Sequence, residues 1–191
     1  MRLSHVLVAG LIALAPVTAS AAPYVLDKSH AHVTFQVGHL GFSSVHGQFR
    51  EFDAEIDFDP GNIEATRVNF TINTASVDTF WEARDKHLRS KDFFNSSKFP
   101  TMTFVTTGVV PTGSDSADIT GELTIRDVTQ PVTLQARLNK LGPSPFNPAQ
   151  EIAGFTVTGE IDRTKFGMGY AAPAVSAIVP ILVELEMSPA N

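Results

Sequence analysis

His30 and His32 stand two residues apart, so on an extended strand their imidazoles share one face, the kind of pair from which a metal site is built. His39, His46 and His87 are candidates to converge on them. Against that, His39 has the opposite parity, and no acidic ligand stands at a characteristic spacing from His30. A second cluster is Arg84, Asp85 and His87: Asp85 with His87 could serve as a general acid–base pair, or the three could be a salt-bridged helix face. Neutral imidazoles hydrogen-bonded to backbone or carboxylate are the plainer reading of the histidines. Arg163 beside Asp162 reads as a structural ion pair. The chain contains no cysteine, which removes a disulfide framework, a thiol nucleophile and a thiolate zinc site. It also lacks a nucleophile elbow, a His-Glu-x-x-His pair and a phosphate-binding glycine loop. The expectation is therefore no catalytic residue and no metal. The alternative is a metal-binding or lipid-modifying protein that uses the His30/His32/His87 region.

The elements that must position these groups are mostly strands. Ala31, Val33, Phe35, Val37 and His39 alternate with polar or small residues, the two-residue period of a strand with one buried face. The same period runs through Phe52–Phe58, Val68–Ile72, Met102–Phe104, Ile119–Ile125, Val132–Leu138, Phe155–Ile161 and Val179–Leu185. Phe49 is out of step with Phe52, so a bulge is expected near Arg50 and Glu51. The acids Asp53, Glu55, Asp57 and Asp59 form a solvated strand face. One stretch breaks the period: Asp78 to Ser90 opens on an N-cap residue and places basic residues toward its end, which predicts a short helix. Pro143 to Gln150, with three prolines, reads as a loop. Eight antiparallel strands in one domain form a sandwich or an up-and-down barrel, and the strand count does not decide between them.

Composition narrows the function further. The chain has 191 residues. Residues 1–21 carry an early Arg2, an apolar run from Val6 to Ala15 and the small-x-small ending Ala19-Ser20-Ala21, which predicts a secretory leader. Without it the remainder, residues 22–191, is one domain with 13 basic against 20 acidic residues, a net charge of −7. No nucleic-acid partner is expected from such a balance. No later stretch is apolar for long enough to span a bilayer as a helix. Fourteen phenylalanines against one tryptophan and two tyrosines call for a large dry interior, since Phe carries no polar handle.

Several ordered blocks give a sharper expectation. Asp27 through His39, Gly47-Gln48-Phe49, Arg84 through Phe94, Phe99-Pro100-Thr101-Met102-Thr103-Phe104, Gly121 through Ile125 with Thr129-Gln130-Pro131-Val132, and Gly159 through Met168 resemble the YceI-like family of periplasmic polyisoprenoid-binding proteins. The resemblance runs from Tyr24 to about Glu186. At Ser176-Ala177-Ile178-Val179-Pro180 the chain lacks the acidic pair that the family often carries before its last strand. The resemblance implies an all-β fold, an eight-stranded antiparallel lipocalin-like barrel with one short helix near residues 78–90. It implies a long-chain isoprenoid ligand, a polyprenyl lipid or a quinone tail, with no other cofactor, in a periplasmic protein linked to stress response, either monomeric or weakly dimeric. The inward positions Val33, Phe35, Val37, Phe49, Phe70, Ile72, Trp81, Phe104, Leu123, Phe155 and Val183 would line the tunnel. Arg84 and His87 would meet the head group. A twenty-carbon tail buried at about 0.8 kcal/mol per methylene gains on the order of 16 kcal/mol gross, against an association cost of roughly 4 to 15 kcal/mol. Tail burial alone can therefore supply useful affinity.

Overall fold

A computed structural model describes residues 21–190. The leader expected over Met1–Ala21 lies outside that range except for its last residue. Ten strands follow in order: β1 (Ala22–His39), β2 (Ser43–Phe49), β3 (Phe52–Phe58), β4 (Arg67–Asn73), β5 (Val77–Asp78), β6 (Thr101–Pro111), β7 (Ser116–Ile125), β8 (Val128–Pro143), β9 (Glu151–Asp162) and β10 (Ile178–Pro189). The one α-helix among the described residues, α1, spans Glu82–Leu88.

Every pairing is antiparallel, and β10 pairs back onto β1 to close the sheet. β2 and β3 both pair with β1, from His39↔Ser43 at one end to Ala22↔Phe58 at the other, so they are two halves of a single barrel strand. β5 is a two-residue addition on β2. The barrel is thus closed and eight-stranded. Closure leaves no long unpaired edge in the wall.

The bulge expected at Arg50 and Glu51 is the join between β2 and β3. There the backbone N–H groups of Arg50 and Glu51 turn outward to Ser76, donating to its carbonyl and hydroxyl oxygens. Two residues occupy the place of one, so the inward face passes from odd positions (Val45, Gly47, Phe49) to even ones (Phe52, Ala54, Ile56, Phe58) without a loss of apolar lining.

The helix is shorter than the sequence predicts. Its N-cap position is Trp81, not Asp78. Asp78 is held in the β5 ladder, where its carboxylate accepts from Arg50, from Gln48 and from the Phe80 N–H. Phe80 then adopts φ 64°, a left-handed conformation that stops a helix from starting at Asp78.

Because the strands run up and down, the connections alternate between two ends. The β1–β2 turn, the β4–β6 connection with α1, the β7–β8 turn and the β9–β10 connection share one end. The β3–β4, β6–β7 and β8–β9 connections share the other. Two apolar clusters occupy the interior. One is centred on Val33, Phe49, Met102, Ile161 and Phe166 toward the α1 end, the other on Tyr24, Ile56, Phe58 and Met187 toward the opposite end.

Candidate functional site

The barrel is hollow. A cavity of about 750 Å³ runs along its axis, within the size range of small-molecule sites. Its wall extends from Arg84, His87 and Tyr170 at the α1 end to Pro60, Ser114 and Asp115 at the other. Its sides are the inward residues of the alternating strands, and they are overwhelmingly apolar. Phe35, Phe70, Phe104 and Phe155 are only partly buried although they point inward, because the cavity leaves their rings accessible.

Val33, Phe35, Val37, Phe49, Phe70, Ile72, Phe104, Leu123, Phe155 and Val183 all face this cavity. Trp81 does not. It is 65 % exposed, because the residue that opens the helix, after the left-handed Phe80, stands outside the barrel wall. The period-two pattern also marks Ile119, Leu134 and Ile181, which share the inward parity and line the cavity. Met168, Phe93, Phe94 and Tyr170 line it from irregular connections, where no period points to them.

Two inward phenylalanines lie flat against the wall because their neighbours are glycines. A Cβ on Gly47 would stand 2.3 Å from the Phe35 ring, and one on Gly121 would stand 2.4 Å from the Phe104 ring. Only a residue without a side chain allows each ring to occupy that place.

The polar groups gather at the α1 end. Arg84 faces the cavity; its Nε donates to the Thr79 hydroxyl at 2.7 Å and its Nη2 to the Thr79 carbonyl at 2.7 Å. Asp85 is buried and accepts from the Thr79 N–H and hydroxyl, so it ties α1 to the segment that follows β5. That makes Asp85 a structural anchor, which leaves Arg84 with further donors for a ligand. His87 lies with Nε2 3.1 Å from Asp92 and its ring edge-on to Phe93 and Tyr170, at 5.1 Å from each. Asp85 and His87 have separate partners and form no acid–base pair.

Arg163 is 5 % exposed and is not ion-paired with Asp162. Its guanidinium donates to the carbonyls of Met168, Tyr170, Val175 and Ser176, gathering the β9–β10 connection around one charge. Asp162 instead accepts from the Thr164 N–H and hydroxyl. Buried carbonyls without other donors outbid an exposed carboxylate for the guanidinium. Among the acids Asp53, Glu55, Asp57 and Asp59, the first three are exposed and Asp59 is buried where the strand turns into the β3–β4 connection.

The histidines do not assemble around one point. His30 pairs with Asp27 at 2.8 Å on the outer face, and ligand atoms of Asp27, His30 and Glu186 lie within 4.8 Å of one another. The Asp27 carboxyl is lowered to about 2, chiefly by hydrogen bonds from Ser29 and His30, and the same contact raises His30 above its ordinary value. His32 is exposed, and His87 belongs to the Asp92, Phe93 and Tyr170 group.

The comparisons agree with this architecture. The YceI-like domain model matches residues 24–187. The protein YceI of Escherichia coli O157:H7 is 44% identical over 171 residues, covering 88% of each chain. The crystal structure of the Campylobacter jejuni YCEI protein superposes with a TM-score of 0.73 at 31% identity, covering 81% of this chain and 90% of that one. A polyisoprenoid binding domain from Saccharophagus degradans, implicated in plant cell wall breakdown, shares the fold with a TM-score of 0.67 at 15% identity, covering 88% of this chain and 99% of that one. With the YceI-like domain model matching across residues 24–187 and a relative 44% identical over 88% of its own length, the chain belongs to the YceI-like family.

Proposed function

We propose that this protein binds a long-chain isoprenoid lipid, a polyprenyl lipid or a quinone tail, in its axial cavity and carries it through the periplasm. The observation that supports the reading is the lining: alternating strands supply an apolar bore from one end of the barrel to the other. A linear hydrocarbon fits such a bore, and its burial drives binding without a strong polar clamp. Arg84 and His87 stand at one mouth, where a phosphate or a quinone carbonyl would sit once the tail is inside. The leader-like residues 1–21 support export, and the fold shared with a polyisoprenoid binding domain supports the ligand class.

Native mass spectrometry of the protein purified from its own periplasm tests the reading. The expected result is a population carrying a lipid mass that organic extraction releases and identifies as an isoprenoid. Added prenyl lipids should also raise the thermal midpoint, because a ligand that binds only the folded state stabilises it. Protein that yields no lipid, and that prenyl lipids neither bind nor stabilise, overturns the proposal.

A further inference from the structure

The two ends of the barrel differ in a way that the cavity does not require. The four connections at the α1 end carry eight lysines and arginines against five acids, whereas the three connections at the other end carry three acids and no base. On a domain of net charge −7, the α1 end is therefore locally positive. Lys86, Lys91, Lys98 and Lys165 are all exposed there, and none is in an ion pair among the described residues.

The same end exposes large apolar side chains. Leu40 and Phe42 in the β1–β2 turn are 51% and 90% exposed; Phe80 and Trp81, just before α1, are 71% and 65% exposed. β5 runs antiparallel to β2, so the chain leaving it climbs toward the β1–β2 turn and brings Phe80 and Trp81 to the same rim. Leu40 and Phe80 are held at φ 54° and 64°, conformations that bulky residues avoid unless the surrounding structure imposes them. Leu40 also lines the mouth of the cavity, so the apolar rim is continuous with the bore.

We infer that this rim docks on the surface of an anionic phospholipid bilayer, with Phe42, Phe80 and Trp81 entering the interface and the unpaired lysines facing lipid phosphates. Exposed aromatic and aliphatic side chains among lysines are the pattern of an interfacial membrane contact. The charge decides the orientation. The opposite end, acidic in its connections, is repelled by the same surface. Docked in this way, the mouth of the bore opens onto the lipid phase, and a hydrocarbon tail passes between bilayer and barrel without crossing water. The inference deepens the carrier reading, from which it takes the bore as the cargo site.

Trp81, the chain's sole tryptophan, reports on the contact directly. The experiment is flotation of the mature protein with phosphatidylcholine vesicles, with and without phosphatidylglycerol, read alongside Trp81 emission and acrylamide quenching. The vesicles contain no isoprenoid, and loading of the bore is measured separately by native mass spectrometry, so failure of docking and failure of loading are distinguishable. Phosphatidylglycerol vesicles should float the protein, shift Trp81 emission to the blue and shield it from acrylamide; vesicles of phosphatidylcholine alone should bind much less. Phe42→Ser combined with Phe80→Ser, and separately Lys86→Gln combined with Lys91→Gln and Lys165→Gln, should each reduce binding at least tenfold while the bore still takes up a prenyl alcohol added in detergent without vesicles. Phe146→Ser, at the 99% exposed residue of the opposite end, should leave binding unchanged. Absence of flotation, equal binding to both vesicle types, or equal loss with Phe146→Ser overturns the inference. So does a self-association that Phe42→Ser and Phe80→Ser abolish in protein that no vesicle binds, which makes the rim a contact between two copies.

Discussion

Val183→Phe separates a hollow barrel from a filled one. Val183 lies on β10, in register with Val33 on one side and Val157 on the other, and all three face the bore. The substitution adds four carbon atoms to the lumen and no polar group. If the space is open, the new ring stands in it and displaces about three methylenes of a bound tail. At about 0.8 kcal/mol each that is ~2.4 kcal/mol, a weakening of roughly fiftyfold. The folded state itself should be nearly unaffected, since the ring meets room instead of packed neighbours. In a filled core the balance reverses: overpacking destabilises by about 1–3 kcal/mol, which lowers the thermal midpoint by roughly 2–12 °C in a domain of this size. The assay pairs thermal denaturation of the lipid-free protein with titration of a prenyl alcohol, which has no charged head group to compensate. A midpoint drop of several degrees with unchanged prenyl affinity refutes the hollow-bore reasoning.

Arg84→Gln should weaken a prenyl phosphate by about tenfold or more while leaving a prenyl alcohol unchanged, because a charge-assisted hydrogen bond contributes about 1.5–3 kcal/mol and only the phosphate uses it; parallel titrations of the two ligands check this, and equal loss for both assigns Arg84 a purely structural role. Asp85→Ala leaves the buried Thr79 N–H and hydroxyl without their acceptor, a destabilisation of about 1–3 kcal/mol visible in urea unfolding, with no change in preference between the two ligands. The Asp27–His30 contact sets a pH window. Its contribution is full between the two ordinary values, about 3.8 for the carboxylate and 6.5 for the imidazole; it is lost as pH falls through about 2 and as pH rises through the raised value of His30. NMR titration of the His30 ring should show that value fall back toward the ordinary one in Asp27→Asn, and an unchanged titration contradicts the assignment.

The eight barrel strands were legible because each has one wet and one apolar face, which imposes the alternation seen from Val33 to Val183. The break at Arg50 and Glu51 was legible for the same reason, as a slip of parity between Phe49 and Phe52. Closure of the sheet was not: the pairing of β10 with β1 joins residues at opposite ends of the chain, and no local pattern records it. Nor was the bore itself, since an inward Phe70 looks the same in sequence whether its ring meets another side chain or open space. Trp81 falls outside the bore, against the expectation, because the helix does not start at Asp78, whose carboxylate is taken by Arg50 and the Phe80 N–H. Phe93, Phe94 and Tyr170 reach the mouth from connections with no repeat, so no periodicity marks them. For Arg163, adjacency to Asp162 suggested a partner, whereas the carbonyls that hold its guanidinium lie further along the β9–β10 connection.

The two glycine–phenylalanine contacts mean that the calibre of this channel is set by atoms that are missing. Phe35 and Phe104 recline in berths left vacant on the adjoining strands at Gly47 and Gly121, so bulky rings coat the passage without obstructing it. A methyl group in either berth would tip its ring toward the axis, so a relative bearing alanine there should be gauged for slimmer or shorter cargo even if every other lining residue were the same.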